Sequence, residues 1–348
     1  MLLGSSPSSP PSATGSPSRP TRITQIAFNS GFFLLAALAL SAILSSFFSL
    51  SRVAWSSDIQ NIVHNWPTNS SLTTYPTAFT RDILPIPIHS HNDYWRHVPL
   101  FSAISAGAIS VEADVWKFSE ADLFVGHDIS SLSRARTFKS LYIAPLLKIL
   151  KGQNPDTEFT HKQPETQVNG VFDVDPSQTL HLFVDFKTAG AETFPLVLAH
   201  LEPLRTPVNY LTHYNGAAVV PGPVTVHFTG NAPFDLIISN TTYRDYFYDA
   251  PLDNLLSGKY TAENSIIAST SFERDVGHVG WRDEVSEVQR EKIRAQVGEA
   301  HRRGIMARYW ETPGWPISVR DKVWGVLVGE GVDLLNVDDL KAASSLRW

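Results

Sequence analysis

Four short stretches hold the side chains whose types and spacing could do chemistry together. "IPIHSHNDYW" places His89 and His91 two apart at the end of an apolar run, with Asn92 directly after. "SVEADVW" places Glu112 and Asp114 two apart, and "LFVGHD" puts His127 at the end of the next run. Further on, "LHLFVDFK" ends in Asp185 and Lys187, again two apart. On a strand, residues two apart share a face. Carboxylates buried together repel one another, so such a set asks for a cation. All-oxygen donors suit one divalent cation, Mg2+ with Ca2+ as the alternative. Histidines beside such an ion are the equipment of metal-assisted acid–base chemistry, because imidazole titrates at about pH 6.5.

These residues need elements that bring them to one place. From about Arg81, short apolar runs alternate with helical stretches. Strands are predicted at 83–89, 109–116, 123–128, 180–187, 222–230, 235–240, 265–272, 304–310 and 332–339. Helices are predicted at 99–107, 138–150, 283–304 and 320–331. In 283–304, Val285, Val288, Ile293, Val297 and Ala300 make one apolar face. Strands alternating with helices imply a parallel α/β sheet. The count and length suit a (β/α)8 TIM barrel over 81–348, whose site lies at the C-terminal ends of the strands. An open doubly wound sheet would want a glycine-rich first loop, and "HSHNDYW" has no glycine. Residues 151–179 lack periodicity and are expected to overhang the site face.

The N-terminus reads differently. Residues 1–25 form a Ser/Pro-rich tail expected to be disordered. The uncharged "GFFLLAALALSAILSSFFSL", 31–50, has the length of a bilayer-crossing helix. A single transmembrane signal anchor is therefore expected over 26–50, followed by a polar stalk over 51–80. Arg19 and Arg22 precede the span, which puts the tail in the cytosol and the large domain on the lumenal or extracellular side. Sequons at Asn69 and Asn240 are compatible with that side. The chain has no cysteine, which excludes disulfides and thiolate metal sites. A formal charge of −6 and the lack of any basic stripe or RNA-binding motif exclude nucleic acid as the expected partner.

The order His-x-x-Asn, Glu-x-Asp-Val, Gly-His, Asp-x-Lys resembles the PLC-like phosphodiesterase superfamily. That group holds glycerophosphodiester phosphodiesterases and sphingomyelinase D-like enzymes. Within it, the pattern over 83–348 is similar to the fungal "altered inheritance of mitochondria protein 6" family, most clearly over 86–190. The resemblance implies a metal-dependent phosphoric diester hydrolase acting on a phospholipid or glycerophosphodiester. It implies a catalytic pair at His89 and His127, and metal ligands at Glu112, Asp114 and Asp185. Lys187 would neighbour the substrate phosphate, and Asn92 closes the first motif. The chain departs from the glycerophosphodiester pattern by reading His-Ser-His where that group has His-Arg-Gly. Its Asp-x-Lys is the sphingomyelinase D form.

Such residues have a coherent joint action. A cation and Lys187 offset the charge that shields a phosphodiester from nucleophiles. One histidine takes a proton from the attacking hydroxyl and the other protonates the leaving oxygen. His91 shares a face with His89 and is expected to support the site and its substrate. Trp116, Trp310 and Trp315 are candidates for an apolar cleft. Two rival readings stand beside this one. His89-x-His91 with Asp338 is also the pattern of a transition-metal hydrolase, which leaves Glu112, Asp114, Asp185 and Lys187 without work. A membrane-anchored, non-catalytic lipid-binding protein would keep the same residues.

Overall fold

The computed structural model describes residues 32–47, 58–65, 75, 77–160, 168–281 and 284–348. The chain divides into two compact units, Met1–Thr73 and Thr74–Trp348. The described part of the first unit is a helix over 32–47 and a second helix, Asp58–Asn65. The first of these falls within the expected membrane span. Its sixteen described residues reach about 24 Å, against the roughly 30 Å hydrocarbon core of a bilayer. Among the described residues no helix is long and apolar enough to cross a membrane. The expected transmembrane anchor is thus not supported. The Ser/Pro tail, residues 26–31 and 48–50 of the expected span, most of the expected stalk and Asn69 lie outside the described residues.

The second unit is a barrel of parallel strands. They are β1 (Ile86–Ser90), β2 (Ala108–Lys117), β3 (Leu180–Phe186), β4 (Val224–Gly230), β5 (Phe247–Tyr248 and Ala250–Pro251), β6 (Ile267–Ser271), β7 (Met306–Trp310) and β8 (Leu334–Val337). Each pairs in parallel with its neighbours in sequence order, and β8 returns to β1. The first piece of β5 pairs with β4 and the second with β6, so the ring is interrupted only at Asp249. This is a nearly closed (β/α)8 barrel.

Period-two alternation divides each strand between bore and shell. Val111, Ala113 and Val115 of β2, with Leu182, Val184 and Phe186 of β3, are buried on the outward face. Helices close over that shell. Glu287–Arg302 contributes Ile293, Val297 and Ala300, and Ile317–Gly329 contributes Val319, Val323 and Leu327. The longer helix starts at a capping box in which Ser286 and Gln289 satisfy each other's backbone N–H. Val288 was expected on the apolar face but is 76% exposed. The inward face is polar. Buried His181 and His227 stack with Nδ1 to Nε2 at 2.8 Å, and Phe183 lies between His227 and His89.

Three predicted elements fall differently. "DLIISN" is not a strand: Phe234–Ser239 is a helix that buries Ile237. Short apolar runs do not distinguish the two states by period alone. The true fifth strand is the less apolar "FYDAP". Leu123–Val125 is a strand but runs antiparallel to β2, outside the barrel ring. Finally, 151–179 does not overhang the site. It joins helix Ala144–Gln153 to the start of β3, so it lies on the N-terminal side of the barrel. There its described part packs on Thr80, whose hydroxyl donates to the Val171 carbonyl at 2.7 Å.

Candidate active site

The loop after β1 explains most of its own sequence. Ser90 Oγ donates to Asp93 Oδ1 at 2.7 Å, and the fully buried Asp93 also accepts from Leu100 N and Tyr142 Oη. Burial pushes the Asp93 carboxyl up from its ordinary value. Asn92 turns the chain in the left-handed region at φ 47, a conformation asparagine tolerates better than most residues. Its N–H donates to Glu112 Oε2 at 2.9 Å. Arg96 then ties the loop to β8 through the carbonyls of His91, Val337 and Asp338.

This turn separates the two histidines. His89 is fully buried in the bore, with Nδ1 2.7 Å from Ser110 Oγ and Nε2 3.6 Å from Glu112. Burial, then the charge of Arg308, pushes its pKa down to about 3, so it is a neutral side chain inside the barrel. It does not line the cavity at the strand ends. His91 does, with Nδ1 2.9 Å from Asp338 Oδ1 and Nε2 3.9 Å from Glu112. Burial opposes its protonation, but the hydrogen bond to Asp338 and the charge of Glu112 outweigh that and raise its pKa.

That cavity holds about 450 Å³ and is lined by His91, Asn92, Glu112, Asp114, His127, Asp185 and Lys187, with Thr229, Gly230, Asp249, Arg308 and Trp310. Seven of the eight sequence-derived residues thus meet there. Glu112, Asp114 and Asp185 offer carboxylate oxygens within 4.8 Å of one another. Burial, then the charges of Glu112 and Asp185, raises the Asp114 pKa to about 7. Burial also raises Asp185, against the pull of Lys187. Glu112 is instead held well below the usual carboxylate range: burial opposes this, and contacts with His89, His91 and Arg308 override it. Lys187 Nζ bridges Asp114 at 3.0 Å and Asp185 at 2.9 Å, and these carboxylates keep its pKa raised despite burial.

The donor set fits a hard divalent ion. Asp114 Oδ1 and Asp185 Oδ1 are buried without a hydrogen-bond partner, so one lone carboxylate oxygen on each strand is left for a cation. Gly230 keeps that space open: at φ +65, an added Cβ would stand 2.0 Å from Asp185 Oδ1.

His127 reaches the cavity through the antiparallel excursion. Val125 pairs with Val115, and Gly126 N donates to the Asp114 carbonyl, which returns the chain to the barrel mouth. The imidazole is half exposed, packs on Trp95, and has Nδ1 3.2 Å from Tyr94 Oη. Tyr94 is buried and also contacts Asn92 Oδ1 at 2.6 Å and Asp114 Oδ2 at 2.7 Å. Tyr94 therefore links one histidine to the carboxylate set.

Sequence reasoning missed Tyr94, Asp249, Arg308 and Gly230. Arg308 is buried. Its Nε donates to Asn336 Oδ1 at 3.1 Å, and Nη1 lies 3.6 Å from Asp249 Oδ2. Burial raises Asp249 to about 6, against the pull of Arg308. The period-two signal around "MARYW" was available, but nothing local marks its arginine as inward-facing. Of the candidate tryptophans, Trp310 lines the cavity and Trp315 lines a neighbouring one. Trp116 instead donates from Nε1 to the Gly126 carbonyl at 2.7 Å.

Known proteins are similar in sequence to this chain over 76–88% of its length. The "Altered inheritance of mitochondria protein 6 homolog" of Arthroderma benhamiae is 46% identical over 316 residues, which covers 88% of this chain and 97% of that protein. The chain belongs to the altered inheritance of mitochondria protein 6 family. The relative from Eremothecium gossypii is 39% identical, covering 76% of this chain and 70% of that one. That from Saccharomyces cerevisiae is 35% identical, covering 76% and 72%. The family model described as "AIM6-like phosphodiesterase domain" matches residues 77–249, which hold β1 to the middle of β5 and every metal-ligand candidate. Among solved structures, a glycerophosphodiester phosphodiesterase from Parabacteroides distasonis aligns with a TM-score of 0.42 and 13% identity, covering 74% of this chain and 94% of that one.

Proposed function

We propose that the chain hydrolyses phosphodiesters of the phospholipid or glycerophosphodiester type with one divalent cation, Mg2+ or Ca2+. The observation that carries this reading is the convergence in one cavity of three carboxylates, two of them with orphaned oxygens, between His91 and His127. Glu112, Asp114 and Asp185 would hold the ion, which when bound supplies Lewis-acid neutralisation of the diester charge. Lys187 adds a second positive charge beside that position. His91, held toward its protonated form by Asp338, donates the proton to the leaving oxygen. His127, with Nδ1 on Tyr94, takes a proton from the attacking hydroxyl through Nε2. His89, expected from the motif as one of the pair, serves instead as a neutral support under Glu112. Asn92 fixes the loop and orients Glu112 through its N–H.

The test is turnover of a panel of lysophospholipids and glycerophosphodiesters by the full chain, with Mg2+, with Ca2+ and with a chelator. Ion-dependent release of a head group is expected. His127→Ala and Asp114→Asn should each abolish it while the far-UV and near-UV circular dichroism stay native. Near-full activity in either variant would sink the assignment.

We also propose a lumenal or extracellular placement of the barrel. Supporting this, Asn240 is exposed in an Asx turn whose Oδ1 accepts from Thr242 N and Oγ1. An endoglycosidase-sensitive mobility shift, lost in Asn240→Gln, is the expected result; its absence from the wild type argues against the placement.

A further inference from the structure

We propose that a second cavity beside the catalytic one is a subsite for a quaternary-ammonium head group, an inference that takes its use as a substrate pocket from the phosphodiesterase reading above. The cavity holds about 700 Å³ and is lined by Glu273, His278, Trp281, Glu311, Trp315 and Pro316, among others. That volume is within the ordinary range of small-molecule sites. The two cavities flank the end of β7: Trp310 lines the catalytic one and the next residue, Glu311, lines the other. Glu311 is held at φ 57, a left-handed conformation that costs a non-glycine residue energy and that clusters at ligand sites. Its Oε2 accepts from Ser271 Oγ at 2.5 Å, which pins the carboxylate between the ends of β6 and β7. Glu273 follows β6 and contacts His278 Nδ1 at 3.1 Å.

The walls are thus aromatic and apolar while two carboxylates supply negative charge. A fatty chain would desolvate those carboxylates and bring no charge to pair them beyond the Ser271 and His278 contacts they already make. An anionic head group would be repelled. A trimethylammonium group satisfies both features, because it has an apolar skin, carries a positive charge and binds indole faces through their quadrupole. A choline diester held at the carboxylate trio would then present its head group to this neighbouring cavity.

The experiment has two readouts on the full-length protein. First, choline and its neutral isostere 3,3-dimethylbutanol are titrated while tryptophan fluorescence is followed, at matched ionic strength. Saturable binding of the cation, at least about tenfold tighter than the alcohol, is expected. It should weaken by about tenfold in Trp315→Ala and in Glu311→Gln. Second, steady-state kinetics compare glycerophosphocholine with glycerophosphoglycerol. KM for the choline diester should rise about tenfold in each variant, with kcat and the KM for the glycerol diester within twofold of wild type. Equal binding of the alcohol, no binding of the cation, or equal KM changes on both diesters would overturn the proposal. Trp315 is 81% exposed, so its removal leaves the core intact. If no diester is turned over but the cation binds and the variants lose it, the subsite stands and the hydrolase reading fails.

Discussion

Replacing Gly230 with alanine isolates the metal reading from ordinary stability. Gly230 has φ +65, and a Cβ built there stands 2.0 Å from Asp185 Oδ1. A left-handed backbone costs an alanine about 1–2 kcal/mol. Ordinary non-bonded contact is about 3.5 Å, so the carboxylate must also withdraw by more than about 1 Å. That displacement removes one orphaned oxygen from the trio. The expected loss of divalent-ion affinity is roughly 10–100-fold, the scale seen when a ligand loses its orientation. Gly258→Ala is the matched control, since Gly258 has φ +74 with nothing within 4 Å of the new methyl. Both variants should lower the melting temperature of the metal-free protein, Gly258→Ala by about 2–8 °C and Gly230→Ala by more, because of the added contact with Asp185. Only Gly230→Ala should lose affinity for Mg2+ and Ca2+ in isothermal titration calorimetry. Unchanged affinity in Gly230→Ala, or equal loss in Gly258→Ala, would refute the claim that this glycine keeps a cation site open.

Other perturbations follow from the same geometry. Tyr94→Phe removes a buried hydroxyl that contacts Asn92, Asp114 and His127. It should cost about 1–3 kcal/mol in urea unfolding and slow turnover with little change in KM, so a wild-type kcat would count against Tyr94 as the positioner of His127. His181 is neutral and buried, with its pKa lowered to about 4 by burial. The folded value lies below the unfolded one, so its contribution is full above about pH 6.5 and is lost as pH falls toward 4. That loss is on the order of 2–3 kcal/mol, and His181→Gln should flatten the pH dependence of unfolding in this window. A slope as steep as wild type would assign acid sensitivity elsewhere. Saturating Mg2+ or Ca2+, at about 100 times Kd, should stabilise the fold by about 2.7 kcal/mol, an effect absent in Asp185→Asn. Ser286→Ala, at an exposed helix cap, should cost about 1 kcal/mol and leave turnover unchanged; reduced turnover would show that the helix feeds the site.

Local pattern was enough to identify the family and most of the cavity's residues. Glu112-x-Asp114 and Asp185-x-Lys187 are pairs on single strands, and a strand's period of two aims both members the same way whatever surrounds them. Alternation of strands and helices similarly made the parallel barrel legible. The choice between His89 and His91 was not. Period two puts both on one face, but β1 ends at Ser90 and the chain turns at Asn92. One imidazole therefore stays a layer down in the bore and the other reaches the mouth beside Asp338, which lies 247 residues away in sequence. The fifth strand was hidden because it is two dipeptides long, contains a proline, and has the acidic Asp249 at its center. Arg308, Asp249 and Gly230 carry no local mark, since their roles are relations across strands: a guanidinium between carboxylates, and a missing methyl that would strike Asp185. Residue types and their spacing alone marked out carboxylates and imidazoles of the kinds that bind a cation and move protons. Only the closing of the barrel decided which of them face the same space, because burial and charge–charge distance are properties of the assembled ring.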